Sequence, residues 1–120
     1  MNWILIGALC GALSVIAGAF GAHALAARLE PRELQLWETA ARYLMYGGLA
    51  MVLLGLFGAQ GARRGVDGAG WCLLLGSALF SGTVFGLAVG GPRWLGAVTP
   101  IGGTLLIFGF LIFAWASVRG

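Results

Sequence analysis

The sequence predicts an all-α integral membrane protein, a bundle of four spanning helices with an amphipathic lead-in to the second. Three observations predict it. Charged residues make up 9% of the 120 residues and hydrophobic residues 60%, whereas soluble domains carry about 25% and about 45–50%. The mean hydropathy is +0.96. Charge-free runs cover residues 1–27, 43–62, 68–92 and 94–118, and each is long enough for the about 20 apolar residues that cross about 30 Å of hydrocarbon. A water-soluble fold is excluded on surface grounds, because a chain of this size leaves about a third of its unfolded surface exposed. The runs are continuous, not alternating, which excludes a barrel of membrane strands.

The first helix is expected over 3–25. Ser14, Gly18 and Ala22 recur every four residues and make one flat face, and Gly7 with Gly11 makes a second small pair. Small residues let helix backbones approach closely where lipid supplies no hydrophobic drive. Residues 26–42 form the most polar stretch. Pro31 suits a first helical position, where its missing N–H costs nothing, so an interfacial lead-in runs on into the second helix over 31–59. A short connection carrying Arg63, Arg64 and Asp67 leads to the third helix over 69–89, with Ala78, Gly82 and Gly86 as its small-residue stripe. Gly90-Gly91-Pro92 then breaks the chain. Thr99 reads as an N-cap before Pro100, which places the fourth helix over 100–118. Trp3, Trp37, Trp71, Trp94 and Trp115 fall at or near the span ends, where the headgroup region favours an apolar ring with one polar edge.

The net charge is +3, and all seven basic residues are arginines. They sit singly or paired in short connections, a pattern for lipid headgroups and not for nucleic acid. Cys10 and Cys72 form no disulfide framework and are too few for a metal site. Ala22-His23-Ala24 resembles a leader-cleavage site, but no basic residue precedes the apolar run, so this helix is expected to be retained. Four spans put both termini on one side, expected to be the cytoplasm.

No catalytic motif is present, and the spans hold no acidic residue. Proton- and ion-coupled machines keep ionisable groups in the membrane interior, which counts against a pump. No enzyme activity, cofactor or metal is expected. Polar groups do gather towards one side of the bilayer: His23 ends the first helix, Arg42, Tyr43 and Tyr46 open the second, Arg93 and Trp94 follow the third, and Thr99 opens the fourth. One reading makes them a shallow headgroup-level pocket for a lipid, a quinone-like molecule or a partner helix. The other makes them ordinary interfacial residues that satisfy helix ends and snorkel. His23 could serve as a proton shuttle or a ligand-binding group, yet a lone His at a helix end is more often a structural hydrogen-bonder.

Three strings carry a family resemblance. They are Gly18-Ala19-Phe20-Gly21-Ala22-His23-Ala24-Leu25, Leu79-Phe80-Ser81-Gly82 and Val98-Thr99-Pro100-Ile101-Gly102-Gly103. On these the chain resembles the domain-of-unknown-function family 423, small bacterial inner-membrane proteins with eukaryotic relatives. The resemblance covers nearly the whole chain. It implies four spans, inner-membrane placement and a cytoplasmic C-terminus, and it brings no established activity. Members often carry a His one turn after the Tyr that opens the second helix. Here that position, after Tyr43, is Gly47, which weakens any metal or proton-relay role for His23.

The function expected is that of an accessory, assembly or lipid- and protein-interaction protein, with membrane lipids, other membrane proteins or a second copy as partners. The alternative is a small oligomeric transporter or channel with its pathway between subunits. A membrane enzyme using His23 with Tyr43 or Arg42 ranks third.

Overall fold

The computed structural model describes residues 1–61 and 64–119; Arg63 of the expected connection lies outside them. Four helices follow one another, with no strand among the described residues: α1 (Trp3–Phe20), α2 (Pro31–Ala59), α3 (Val66–Ala88) and α4 (Leu95–Arg119). A π-helical turn, Gly21–Leu25, prolongs α1. All four are long and apolar enough to cross a membrane, and the long axis of the molecule, 48 Å, exceeds the about 30 Å of hydrocarbon. The helix ends therefore stand in the headgroup layers.

Local chemistry sets the starts of the helices. The Asn2 side chain caps α1 by accepting the Leu5 N–H at 3.0 Å. Glu30 and Glu33 form a capping box on α2, with Pro31 in the first turn, so two orphan donors of that helix start are satisfied reciprocally. Gly65 precedes α3 at φ +83°, with the Trp115 ring about 3.1 Å from where a Cβ would stand. Backbone conformation and crowding both demand glycine there.

Two boundaries differ from expectation. Helix α3 begins at Val66 instead of residue 69. Helix α4 begins at Leu95 instead of residue 100, so Pro100 lies inside it. Leu95, Gly96 and Ala97 start α4 with tight bonds to the carbonyls of Pro92, Arg93 and Trp94. Thr99 is consequently no cap. Its hydroxyl lies 3.0 Å from the Leu95 carbonyl within the helix and 2.7 Å from the Thr83 hydroxyl.

The helices pack in chain order: α1 on α2, α2 on α3, α3 on α4. Helix α2 only grazes α4, and α1 shares no packed interface with α4. Helix α2 is thus a spine with a neighbour on each flank. Two pairs of small residues, Ala40-Ala41 and Gly47-Gly48, stand seven residues apart on it, two helical turns. At the first pair, Ser14 of α1 donates to the Ala41 carbonyl at 2.5 Å and Ser81 of α3 donates to the Ala40 carbonyl at 2.8 Å. At the second, a Cβ on Gly48 would come 2.9 Å from the Gly7 carbonyl oxygen and 3.0 Å from the Gly11 nitrogen, and a Cβ on Gly47 would collide with the Ser77 hydroxyl. Helices α3 and α4 meet in the same manner, where a Cβ on Gly76 would lie 2.7 Å from the Leu106 nitrogen.

The expected packing residues divide between these contacts and open surface. Gly7, Gly11 and Ser14 face α2, and Gly102 and Gly103 face α3 at Phe80. Gly86 faces Leu95. Gly18 and Gly82 have nothing within 4 Å of a Cβ position, and Ala22 and Ala78 are exposed. Helix α3 buries Leu73, Gly76, Ser77, Ser81 and Val84 between α2 and α4, so its Ala78–Gly82 edge turns outward.

Gly47→Ala and Gly48→Ala should each lower the thermal unfolding midpoint in mild detergent, by the equivalent of about 1–3 kcal/mol, because backbone and a held side chain must move. Gly82→Ala should leave it unchanged. Melting curves of the three variants check this.

Candidate functional site

The register of the helices decides which polar residues can meet. The Ser14–Ala41 hydrogen bond fixes α1 against α2. His23 lies nine residues beyond Ser14, about 13 Å further along the helix. Tyr46 lies five residues beyond Ala41 along α2, which runs in the opposite direction. The two are at different depths and on different flanks of α2. The seven residues expected at one pocket therefore occupy separate places. His23, in the π-helical turn, is exposed, as are Arg42, Arg93 and Trp94. Helical side chains lean towards the helix N-terminus, which for Arg42 is the side of the α1–α2 connection, the direction in which a snorkelling guanidinium would reach headgroups. Thr99 is engaged with Thr83 between α3 and α4.

Tyr43 and Tyr46 do come together. Their rings meet edge-on at 5.2 Å, and the Tyr43 ring lies 4.6 Å from that of Phe80. They line a cleft of about 370 Å³ whose other wall is Gly103, Leu106, Ile107 and Phe110 of α4. The cleft exists because α2 and α4 both pack on α3 and barely touch each other.

A second opening lies on the opposite flank of α2, between α1 and α3. It is a furrow of two hollows of about 270 and 360 Å³ that share Leu13, Leu44 and Phe85 in their linings. Trp3, two helical turns before Cys10 on α1, is 2% exposed. The Trp3 indole N–H donates to the Asp67 carboxylate at 3.0 Å, and its ring lies against Gly70.

The π-helical turn stands at the upper end of the furrow and is tied to α2 by Trp37. The Trp37 indole N–H donates to the Ala17 carbonyl at 2.7 Å. Its ring lies over Gly21, 2.5 Å from where a Cβ would be, and packs 4.5 Å from Phe85. A π turn opens the helix ladder, and here the indole holds the carbonyl one turn before it. Sequence reasoning placed Trp37 in the headgroup belt; its signal was a tryptophan on the same α2 face as Ala41. It also missed the Gly47-Gly48 and Ala40-Ala41 pairs, whose seven-residue spacing was there to be read. Among the described residues, no group of three or more His, Cys, Asp or Glu is placed to hold a metal ion.

The family model described as protein of unknown function, DUF423, matches residues 17–103. That span contains the π turn, the α2 spine, α3 and the first part of α4. The chain belongs to this family. Among relatives of this DUF423 protein is a UPF0382 membrane protein of Staphylococcus haemolyticus, 44% identical over 117 residues that cover 98% of this chain and 95% of the relative. Another, from Staphylococcus saprophyticus, is 41% identical over 117 residues, 98% and 97% of the two chains. The Bacillus subtilis UPF0382 membrane protein YwdK is 36% identical over 118 residues, 98% and 96%. No solved structure matches. The chain is thus a multi-pass membrane protein of an uncharacterised family. At Gly47, where the resemblance led one to look for a second His, any side chain would run into Ser77.

Gly21→Ala should displace the Trp37 ring and lower stability. The same change in a Trp37→Leu background, where the ring is gone, should cost much less. Comparing the two unfolding midpoints in a double-mutant cycle checks the contact.

Proposed function

We propose that this protein is an accessory component of the bacterial inner membrane, with both termini in the cytoplasm, that acts by packing against lipids and other membrane proteins and not by catalysis. The observation that carries the reading is the open helix row. Helices α1 and α4 are end members with unpaired outer faces, and two clefts flank α2 without a helix of this chain to fill them. In lipid such faces carry no hydrophobic penalty, and they associate through close packing and hydrogen bonds. Basic residues near span ends orient a membrane protein, and by number the side of the two connections, with Arg28, Arg32, Arg42 and Arg93, slightly exceeds that of the termini. The first three of these share one segment with Glu30, Glu33 and Glu38, whereas the Arg63-Arg64 pair is compact in the sequence, which supports a cytoplasmic location for the termini.

Two measurements test this. A C-terminal fluorescent-protein fusion should be bright and a C-terminal alkaline phosphatase fusion silent; the reverse overturns the orientation. A photoreactive residue replacing Ile107 in the α2–α4 cleft should crosslink in intact membranes to another protein or to a second copy. Labelling of lipid alone at that position overturns the protein-packing part.

A further inference from the structure

We infer that the cleft between α2 and α4 binds the ring of a lipid-soluble quinone, an uncharged molecule that carries hydrogen-bond acceptors into the middle of a bilayer. This goes beyond the packing role above and needs no partner protein.

Depth is the first observation. Ser14 is the middle residue of the Trp3–Leu25 span, and Ser77 is the middle residue of α3. Ser14 donates to the Ala41 carbonyl, and the Ser77 hydroxyl lies against Gly47. The centre of the bundle thus crosses α2 between Ala41 and Gly47, and Tyr43 and Tyr46 lie inside that interval. On the facing helix Ile107 is the middle residue of Leu95–Arg119, and it lines the same cleft. The headgroups are about 15 Å away in either direction, half the hydrocarbon thickness, and that is farther than a tyrosine side chain extends.

Polarity is the second. The two phenol hydroxyls are the only polar side-chain atoms of the six residues that line the cleft. The rings are partly exposed, Tyr43 36% and Tyr46 48%, and neither hydroxyl has a hydrogen-bond partner among the described residues. A hydroxyl without a partner in an apolar medium is costly. Acyl chains at this depth bring no acceptor, because their ester carbonyls stand with the headgroups. A quinone is apolar in tail and ring, and its ring carbonyls accept hydrogen bonds wherever the ring lies.

Shape is the third. Tyr43 stands edge-on to Tyr46 and 4.6 Å from Phe80, and Phe110 lines the α4 wall, so a flat ring meets aromatic faces and edges. The volume, about 370 Å³, falls within the about 300–1,000 Å³ of small-molecule sites, which also are mostly apolar with a few placed polar groups. On α4 the lining runs from Gly103 to Phe110, about 10 Å of helix rise. A partner's spanning helix would need a groove along the whole of about 30 Å, and its carbonyls are already bonded within itself. Ile107, 61% exposed, stands at the mouth, so a partner protein can still pass in front of an occupied cleft.

The test uses the full-length protein in vesicles of palmitoyl-oleoyl phosphatidylethanolamine and phosphatidylglycerol. The probe is a decyl-chain azidobenzoquinone, photolysed in the membrane, with the labelled residues read by mass spectrometry. Label should concentrate on Tyr43, Tyr46, Leu106 and Phe110 and spare Ile101 and Phe108, which are exposed on another face of α4. Menaquinone-4 should compete with the probe; squalene, an isoprenoid hydrocarbon without a carbonyl, should not. Tyr43→Phe and Tyr46→Phe should each raise the menaquinone-4 concentration for half-competition roughly tenfold, the factor that one lost hydrogen bond supplies. Neither change should lower the unfolding midpoint of quinone-free protein in mild detergent, since the hydroxyl removed has no partner to lose. Even labelling of cleft and outer face, competition by squalene, or unaltered competition in the double Phe variant would each overturn the proposal. A lowered midpoint in the quinone-free variants would do so too, because the hydroxyls would then be satisfied within the protein. Cleft labelling that appears only when the protein is diluted to one chain per vesicle would assign the cleft to a second copy and overturn it likewise.

Discussion

Everything in this molecule hangs on the absence of two side chains, at Gly47 and Gly48. In hydrocarbon, apolar surface gains nothing by leaving its surroundings, so helices hold together only where backbones come close enough for dense van der Waals contact and short hydrogen bonds. Adjacent residues on a helix point about 100° apart. One glycine of the pair therefore opens α2 towards α3 and the other opens it towards α1. Two turns away, Ala40 and Ala41 repeat the arrangement, and serines from both neighbours reach their carbonyls. The second helix is gripped twice on each side, and these grips fix its height relative to α1 and α3.

That height controls the rest. It puts Trp37 beside Ala17 and Gly21, so that an indole braces the π-helical turn. It sets Tyr43 and Tyr46 in the cleft that faces α4. Because each helix has a tight seam only with its neighbour in the chain, the row does not close. In water an open row would leave its core wet. In lipid the open flanks are stable, and they become the clefts on either side of α2.

Much of the fold was legible in the residues. Four charge-free runs gave four helices, Pro31 gave the start of α2, and Gly7, Ser14 and Gly102 gave contact faces, because span length and steric smallness are local properties. The rest depended on register. Thr99-Pro100 looked like a helix start in isolation, but the turn after Pro92 had already begun α4 one turn and more earlier. Arg42 was taken as the marker of the membrane edge, whereas α2 stands where Ser14 and Gly7 place it. The stripe at Ala78 and Gly82 was read as a seam since small residues make seams; α3 has two neighbours already, and that edge is the side left over. The grouping of His23 with Tyr46 assumed that polar residues near helix ends share one depth, and the interhelical hydrogen bonds give them two.

The bridge from Trp3 to Asp67 joins positions 64 residues apart in the chain. During synthesis the first two helices can enter the bilayer and zip together through Gly7 and Gly48 while Asp67 is still inside the ribosome. A hairpin of α1 and α2 formed at that point would leave the Trp3 N–H to water and lipid headgroups, and the arrival of α3 would exchange those partners for Asp67 and fasten the amino terminus in place.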